Sequence, residues 1–92
     1  MSADKIKKQF GRYLAEARQT QGMTQADVAK KLGYSSAQYI SNWERGAAAP
    51  PTSQLAKICE ILGLKQRAFI AEYSNVLQAY TNEQIKELRA SF

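Results

Sequence analysis

Three polar side chains near the middle of the sequence have the types and the spacing to recognise the edge of a base pair. Gln38 and Asn42 lie four residues apart, and Arg45 follows three residues later. At about 100° of rotation per residue, these positions share one face of an α-helix. Amide side chains donate and accept hydrogen bonds at the same time, as the N6/N7 edge of adenine requires, and arginine can reach phosphate or guanine. The face therefore has the chemistry to contact DNA in a major groove.

The same residues also have simpler interpretations. Ser35 and Gln38 form the pattern S-x-x-Q, in which the Gln38 amide would cap the start of its own helix. Asn42, taken alone, is equally consistent with a solvated surface. These alternatives stay open at the level of single residues, and the arrangement of neighbouring helices is what favours DNA contact.

The opposite face of this segment is an apolar anchor that carries one acid. Ile40 and Trp43 share that face, and Glu44 falls within about 60° of Ile40. A buried carboxylate needs a partner. Arg18 adjoins the apolar stripe of the first predicted helix, so we expect an ion pair between Arg18 and Glu44. The alternative is a surface Glu44 that pairs with nothing.

The sequence has few of the residue types and motifs that catalysis commonly uses. The chain has no histidine, which is the commonest general base and metal ligand, and its single cysteine cannot complete a zinc site. No glycine-rich phosphate loop is present. We therefore expect neither catalysis nor a bound metal or cofactor. Cys59 falls on the apolar stripe of a predicted helix, which favours a buried small side chain.

Helices must hold these faces in place, and the spacing of apolar residues predicts helices throughout. The first runs from about Ala3 to Gln21. The second begins after Thr24, whose capping box is completed by Asp27, and ends at Gly33. Free N–H groups and the positive dipole end at the start of this helix suit a phosphate, and Gln25 stands there.

Further capping signals predict where the later helices begin. The Ser35–Gln38 box opens the third helix, which ends near Gly46. The loop 47–53 leads to a fourth helix that stops at Gly63, and a fifth runs from about 65 to 78. The pattern Thr81–Gln84 predicts one more short helix at the end. The fold expected is all-α, in a single domain spanning residues 1–92.

Composition agrees with a small soluble domain. The chain has 92 residues, 45% of them hydrophobic, a net charge of +5 and a pI near 9.5. Residues 1–46 hold eight Lys/Arg against four Asp/Glu, so the excess of positive charge lies in the first half and favours a polyanionic partner. No apolar run is long enough to span a bilayer, and the first ten residues do not form a signal peptide. We expect a cytoplasmic protein with no membrane association.

The segment "MTQADVAKKLG…ISNWERG" resembles the helix-turn-helix of the phage-repressor and Cro type, the XRE family. The resemblance extends from about Phe10 to Leu64, with the motif itself at 24–46. The matching positions are Arg18, Thr24, Gln25, Val28, Ala29, Leu32, Gly33, Ile40, Glu44 and Gly46. It implies a five-helix DNA-binding domain, here with an additional short C-terminal helix, that binds operator DNA as a dimer.

The resemblance also assigns roles to single residues. It implies base-facing positions at Ala37, Gln38, Ser41 and Asn42. It implies contacts with the DNA backbone at Gln25 and Arg45, and we expect further backbone contacts from Thr24, Ser36 and Tyr39. It also implies a structural ion pair between Arg18 and Glu44.

Two features depart from the family pattern. Eleven residues separate Gly33 from Glu44 where the common pattern has ten, so either the turn is longer or the recognition helix starts earlier. The extra residue lies in "YSSA", which puts the register of 34–37 in question. The loop after Gly46, "AAAPPTS", has none of the basic residues that this loop often carries.

The C-terminal part, residues 65–92, has more apolar side chains than one small domain needs. Tyr80, Ile85, Leu88 and Phe92 are the last of them. They would either close the core or form a two-fold interface, and dimers suit inverted-repeat sites. The function expected is a sequence-specific transcriptional regulator, a repressor that binds double-stranded operator DNA as a homodimer. The alternative is an antitoxin or a coactivator-like module in which this surface meets a protein partner.

Overall fold

The computed structural model describes residues 2–92, and the expected all-α class is confirmed. The helices are α1 (Ala3–Thr20), α2 (Gln25–Leu32), α3 (Gln38–Glu44), α4 (Leu55–Ile61) and α5 (Gln66–Ala90), with a single 3₁₀ turn at Thr52–Gln54 before α4. Within residues 2–92, none of the helices combines the length and the apolar character that crossing a bilayer requires.

The capping box at the start of α2 is confirmed. The Thr24 hydroxyl accepts the Asp27 N–H at 3.0 Å, and the Asp27 carboxylate accepts the Thr24 N–H at 2.9 Å. Gly33 ends the helix with a φ of 81°, a left-handed conformation that glycine adopts without a steric penalty. The start and the end of α2 are therefore set by local sequence.

The two other predicted capping boxes are wrong. Ala37, not Ser35, is the N-cap of α3, and it makes no side-chain capping bond; the Ser36 hydroxyl accepts the Gln38 N–H at 3.1 Å instead. Thr81 and Gln84 lie inside α5, which is one continuous helix of 25 residues with no separate short helix after it. The span 66–90 contains no glycine or proline to interrupt it, so the Thr-x-x-Gln pattern has no helix start to cap.

One hydrophobic core joins all five helices. α1 packs along α5 and crosses α3, while α2 contacts α3 and α4. The buried core residues are Phe10, Leu14, Val28, Ala29, Leu32, Ile40, Trp43, Ile58, Leu62, Phe69, Tyr73 and Val76. Cys59 is half-buried against this core, and its Sγ lies 3.2 Å from the Leu64 carbonyl oxygen. α2 and α3 are thereby held as a pair across the α1–α5 body.

Glycine at position 11 allows α1 and α3 to touch through their backbones. A Cβ at this position would lie 2.8 Å from the Trp43 carbonyl oxygen and closer still to that of Glu44. Gly46, just after α3, also lies close to α1, where a Cβ would be 3.0 Å from the carbonyl carbon of Lys7. These contacts fix the C-terminal end of α3 against the body.

Candidate DNA-binding site

α2 and α3 form a two-helix unit joined by the turn 33–37. The Tyr34 N–H returns to the Ala29 carbonyl at 2.9 Å, and Ala29 itself is buried where the two helices meet. Because α3 begins only at Gln38, the extra residue of this chain lengthens the turn and does not lengthen the helix.

An ion pair between Arg18 and Glu44 ties α1 to α3. The Arg18 Nε and Nη2 atoms donate to the two Glu44 carboxylate oxygens at 2.7 and 3.0 Å, and its Nη1 donates to the Met23 carbonyl at 2.8 Å. The Glu44 side chain is only 9% exposed. The hydrogen bond to Glu44 raises the pKa of the Arg18 guanidinium, against the smaller opposing effect of burial. All the charged atoms of this pair are therefore matched by partners.

Gln25 joins the same network. Its Nε2 donates to Glu44 Oε1 at 3.0 Å, so in this structure the side chain points inward. The sequence interpretation had this amide facing a phosphate. A phosphate at this position would therefore be bound by backbone N–H groups, or the Gln25 amide would have to break its bond with Glu44.

The outward face of α3 carries a row of mutually bonded polar side chains. The Gln38 amide donates to Asn42 Oδ1 at 2.9 Å, and the Arg45 guanidinium donates to the same oxygen. Arg45 Nε also donates to the Ser41 hydroxyl at 3.3 Å. The structure brings these four side chains together on one accessible surface, which we call the polar row (Gln38, Ser41, Asn42 and Arg45).

The remaining predicted contact residues surround the polar row with different exposures. Ser36 and Tyr39 are exposed at the start of α3, and Ala37 is half-buried beside them. Thr24 is exposed at the start of α2, but its hydroxyl is already used in the capping box. The surface is thus formed by the exposed side of α3, with the start of α2 beside it.

A helix-turn-helix family model, HTH_3, matches residues 14–67, which is more than half of the chain. The chain belongs to the helix-turn-helix family. The resemblance drawn from the sequence is thereby confirmed over these residues. The match includes Arg18, α2, α3 and α4, and so covers the ion pair and the polar row.

Individual relatives extend this result. The chain is 36% identical over 64 residues to endothelial differentiation-related factor 1 of Homo sapiens, covering 70% of this chain and 43% of that protein. It is 33% identical over 69 residues to multiprotein-bridging factor 1c of Arabidopsis thaliana, covering 75% and 46%. The chain therefore spans less than half the length of these curated relatives.

A solved structure matches almost the whole helix-turn-helix chain. This is the clp gene regulator ClgR from Corynebacterium glutamicum, with a TM-score of 0.62 and 27% sequence identity, covering 94% of this chain and 93% of that one. The similarity therefore includes α5 as well as the helix-turn-helix. The fold is that of a helix-turn-helix gene regulator.

Sequence reasoning missed the residues that hold the end of α3 from the α5 side. The Tyr80 hydroxyl donates to the Gly46 carbonyl at 3.0 Å, and the buried Tyr73 hydroxyl donates to the Pro50 carbonyl at 2.7 Å. Lys7 lies over the Tyr80 ring, 4.2 Å from its centroid, and pairs with Glu83. Burial, with a further contribution from Glu83, raises the pKa of Tyr80. No local sequence pattern predicts these contacts, since the partners are far apart in the chain.

Proposed function

We propose that this helix-turn-helix protein is a sequence-specific DNA-binding transcriptional regulator that represses by occupying an inverted-repeat operator as a homodimer. The observation that carries the proposal is the polar row on the exposed side of α3. Its amide and guanidinium groups are the types that read base edges and phosphates. The apolar side of α3, with Ile40 and Trp43, is buried in the core and leaves this row facing solvent.

The ion pair supports the proposal because it determines where α3 sits. Arg18 bonds Glu44, and Gly11 brings the backbone of α1 against the same turn of α3. A recognition helix must keep its position to within a fraction of an ångström for bidentate base contacts to form. Three residues on α1 and α3, namely Gly11, Arg18 and Glu44, therefore serve the geometry of the surface and have no proposed DNA contact of their own.

The hydrogen bonds within the polar row pre-organise its side chains for binding DNA. The Asn42 oxygen accepts from both Gln38 and Arg45. Contact with an adenine edge would exchange the Gln38–Asn42 bond for bonds to the base. Side chains that are restricted by such bonds before binding lose less conformational entropy on binding.

Substitutions in the row separate base reading from backbone contact. Asn42→Ala should shrink the ratio of specific to non-specific binding, since losing a bidentate base contact costs about 1–3 kcal/mol on the right site and little elsewhere. Arg45→Ala should weaken all sites alike and reduce the salt slope by about one unit. Titration against operator and scrambled duplex at several salt concentrations measures both. Lys86→Ala, on the exposed far half of α5, is the control for charge loss.

The Gln38 amide is the second proposed base reader. Gln38→Ala should also reduce the specificity ratio, while leaving Asn42 bonded to Arg45. If Gln38→Ala and Asn42→Ala both bind specific and scrambled duplexes in the parent's ratio, this face does not read sequence.

Selection of bound sequences from random duplex DNA tests the function directly. A short inverted repeat supports a homodimer on an operator, and an enriched half-site without symmetry supports a monomeric reader. Absence of enrichment contradicts sequence-specific binding.

A second candidate is a module that connects proteins, and two observations favour it. One relative is named a multiprotein-bridging factor. In addition, the far end of α5 exposes Ile85, Leu88 and Phe92 to solvent. In this case the end of α5 would bind a different protein, and the apolar residues there would be needed for that complex while DNA binding would be secondary. A mixed complex that forms with a purified partner and is lost on Leu88→Glu, without loss of DNA binding, would favour this function.

A further inference from the structure

The lengthened turn between α2 and α3 carries an aromatic stack. The ring of Tyr34 lies parallel to that of Tyr39, with centroids 4.6 Å apart and an interplanar angle of 21°. On its other side, Tyr34 meets the buried Trp43 edge to face, with centroids 5.7 Å apart at 73°. The three rings therefore form a continuous series from the core to the surface.

The stack determines where Tyr39 can point. Tyr39 is the second residue of α3 and lies three residues before Asn42, on the flank of the polar row. It is 50% exposed: one face is covered by Tyr34, and the rest is open to solvent. Tyr34 is fixed in turn, since its N–H bonds the Ala29 carbonyl and its ring rests on Trp43. An otherwise mobile surface tyrosine is thus held in one orientation.

We propose that Tyr34 is a positioning residue for DNA binding, which holds Tyr39 so that its phenolic hydroxyl meets a phosphate beside the groove that the polar row enters. This inference rests on the proposed function. Tyrosine hydroxyls are among the groups that bond phosphate oxygens and set the register of a protein on a duplex. Stacking removes the rotamer entropy that Tyr39 would otherwise lose on binding. Tyr34 lies in the lengthened turn, which places its ring in contact with both Trp43 and Tyr39.

Four variants test the positioning role. Tyr39→Phe keeps the stack and removes the hydroxyl, and should weaken binding to operator and scrambled duplex alike by about tenfold, as expected for a hydrogen bond to a charged group. Tyr34→Leu keeps an apolar group on Trp43 but removes the stack, and should weaken both by about three- to tenfold. The double variant Tyr34→Leu/Tyr39→Phe should bind no more weakly than Tyr39→Phe alone. Tyr34→Phe restores the stack and should restore the affinity that Tyr34→Leu loses.

Loss of stability is controlled by a matched tyrosine elsewhere. Tyr13→Leu removes another half-buried ring, one that stacks on Phe69 between α1 and α5. It should leave DNA affinity unchanged at a temperature where circular dichroism shows every variant folded. If Tyr34 had only a structural role, the affinity loss of Tyr34→Leu would not depend on whether the Tyr39 hydroxyl is present.

The outcomes separate this inference from the proposed function. If the parent chain shows no saturable binding to any selected duplex, the proposed function falls and the inference with it. If the parent binds and Tyr34→Leu binds equally well, only the inference is overturned. The inference is also overturned if the double variant loses DNA affinity by the product of the two single losses. The same holds if Tyr34→Phe binds DNA as weakly as Tyr34→Leu.

Discussion

At the scale of single residues, Gln25 and every member of the polar row form side-chain hydrogen bonds within the protein. Gln25 bonds Glu44, Gln38 bonds Asn42, and Arg45 bonds both Ser41 and Asn42. Binding DNA therefore exchanges existing hydrogen bonds for new ones, so the net gain in free energy per contact is modest. Discrimination between sequences then depends on whether a base can replace these partners in full.

Removing the arginine of the ion pair should destabilise the fold. Arg18→Ala leaves the Glu44 carboxylate, 9% exposed, with only the Gln25 amide as partner. We expect a loss of about 3 kcal/mol, the lower end of the range for buried pairs, since one side of the network reaches solvent. Thermal melting measures this loss, with Arg12→Ala on the exposed side of α1 as control. A melting curve for Arg18→Ala that matches the parent's would show that the pair contributes little.

The α2 capping box should contribute to the acid dependence of stability. The hydrogen bond from the Thr24 backbone holds the pKa of the Asp27 carboxyl below its ordinary value of 3.8, assisted by the Thr24 hydroxyl and by Lys31 and Lys30. A lowered folded pKa means that this stabilisation is present above the ordinary value and is lost as pH falls through the folded one. Between about pH 5 and pH 2 the melting temperature of Asp27→Asn should fall less than the parent's. Parallel acid profiles would contradict this assignment.

At the scale of elements, α3 is held at its C-terminal end from two sides. α1 supplies close backbone contact through Gly11 and at Gly46, and α5 supplies the Tyr80 and Tyr73 hydroxyl bonds to the loop that follows. α3 has only seven residues, too few for a stable helix in isolation. Its helical form and its position therefore both come from its neighbours.

Gly11→Ala tests how closely α1 and α3 approach. In an exposed helix interior, glycine to alanine adds roughly 0.5–1 kcal/mol of stability. Here the new Cβ would collide with the Trp43 and Glu44 carbonyls, so we expect the sign to reverse, with a loss of about 1–3 kcal/mol from overpacking. Denaturant unfolding measures the change, and Glu16→Ala on the exposed side of α1 is the control. A gain in stability for Gly11→Ala would mean that the two helices separate easily.

At the scale of the whole molecule, α5 extends beyond the body that the other helices form. The longest dimension of the molecule is 45 Å, and every residue from Gln84 onward is exposed. Leu77, Ile85, Leu88 and Phe92 point to solvent, whereas Tyr80, which the sequence grouped with them, bonds Gly46 within the chain. The apolar surface of α5 available for self-association therefore consists of Leu77 and of the residues beyond the contacts of Tyr80 and Glu83.

Leu88→Glu should disrupt self-association if this surface forms the dimer. Leu88 is 59% exposed, and burying it against a second copy would contribute about 1.5–3 kcal/mol, so introducing a charge there should weaken the dimer by roughly tenfold or more. Sedimentation equilibrium measures the dissociation constant. Asn82→Glu, with the same change of charge on another side of α5, is the matched control. If the parent is a monomer both free at high concentration and on operator DNA, the dimer is excluded.

The local sequence determined the features whose physical cause lies within a few residues. Apolar spacing was sufficient for the helical class, because amphipathic stripes at 3.6-residue periodicity form only one kind of element. The start and the end of α2 could be predicted from Thr24, Asp27 and Gly33, because capping bonds and a left-handed residue act over three or four positions. The motif positions from Arg18 to Gly46 were likewise sufficient for the family, whose model matches residues 14–67.

Only the tertiary structure decided features in which distant residues compete for the same group. Gln25 turned inward because Glu44 offers it a nearly buried acceptor, which position in a motif does not reveal. The Thr81–Gln84 pattern did not start a helix, because α5 continues through it while Tyr80 and Glu83 hold that turn against Gly46 and Lys7. The extra residue entered the turn, where Tyr34 stacks between Trp43 and Tyr39. Each outcome depends on which partner lies nearest in space, and the spacing of residues within one segment does not reveal that partner.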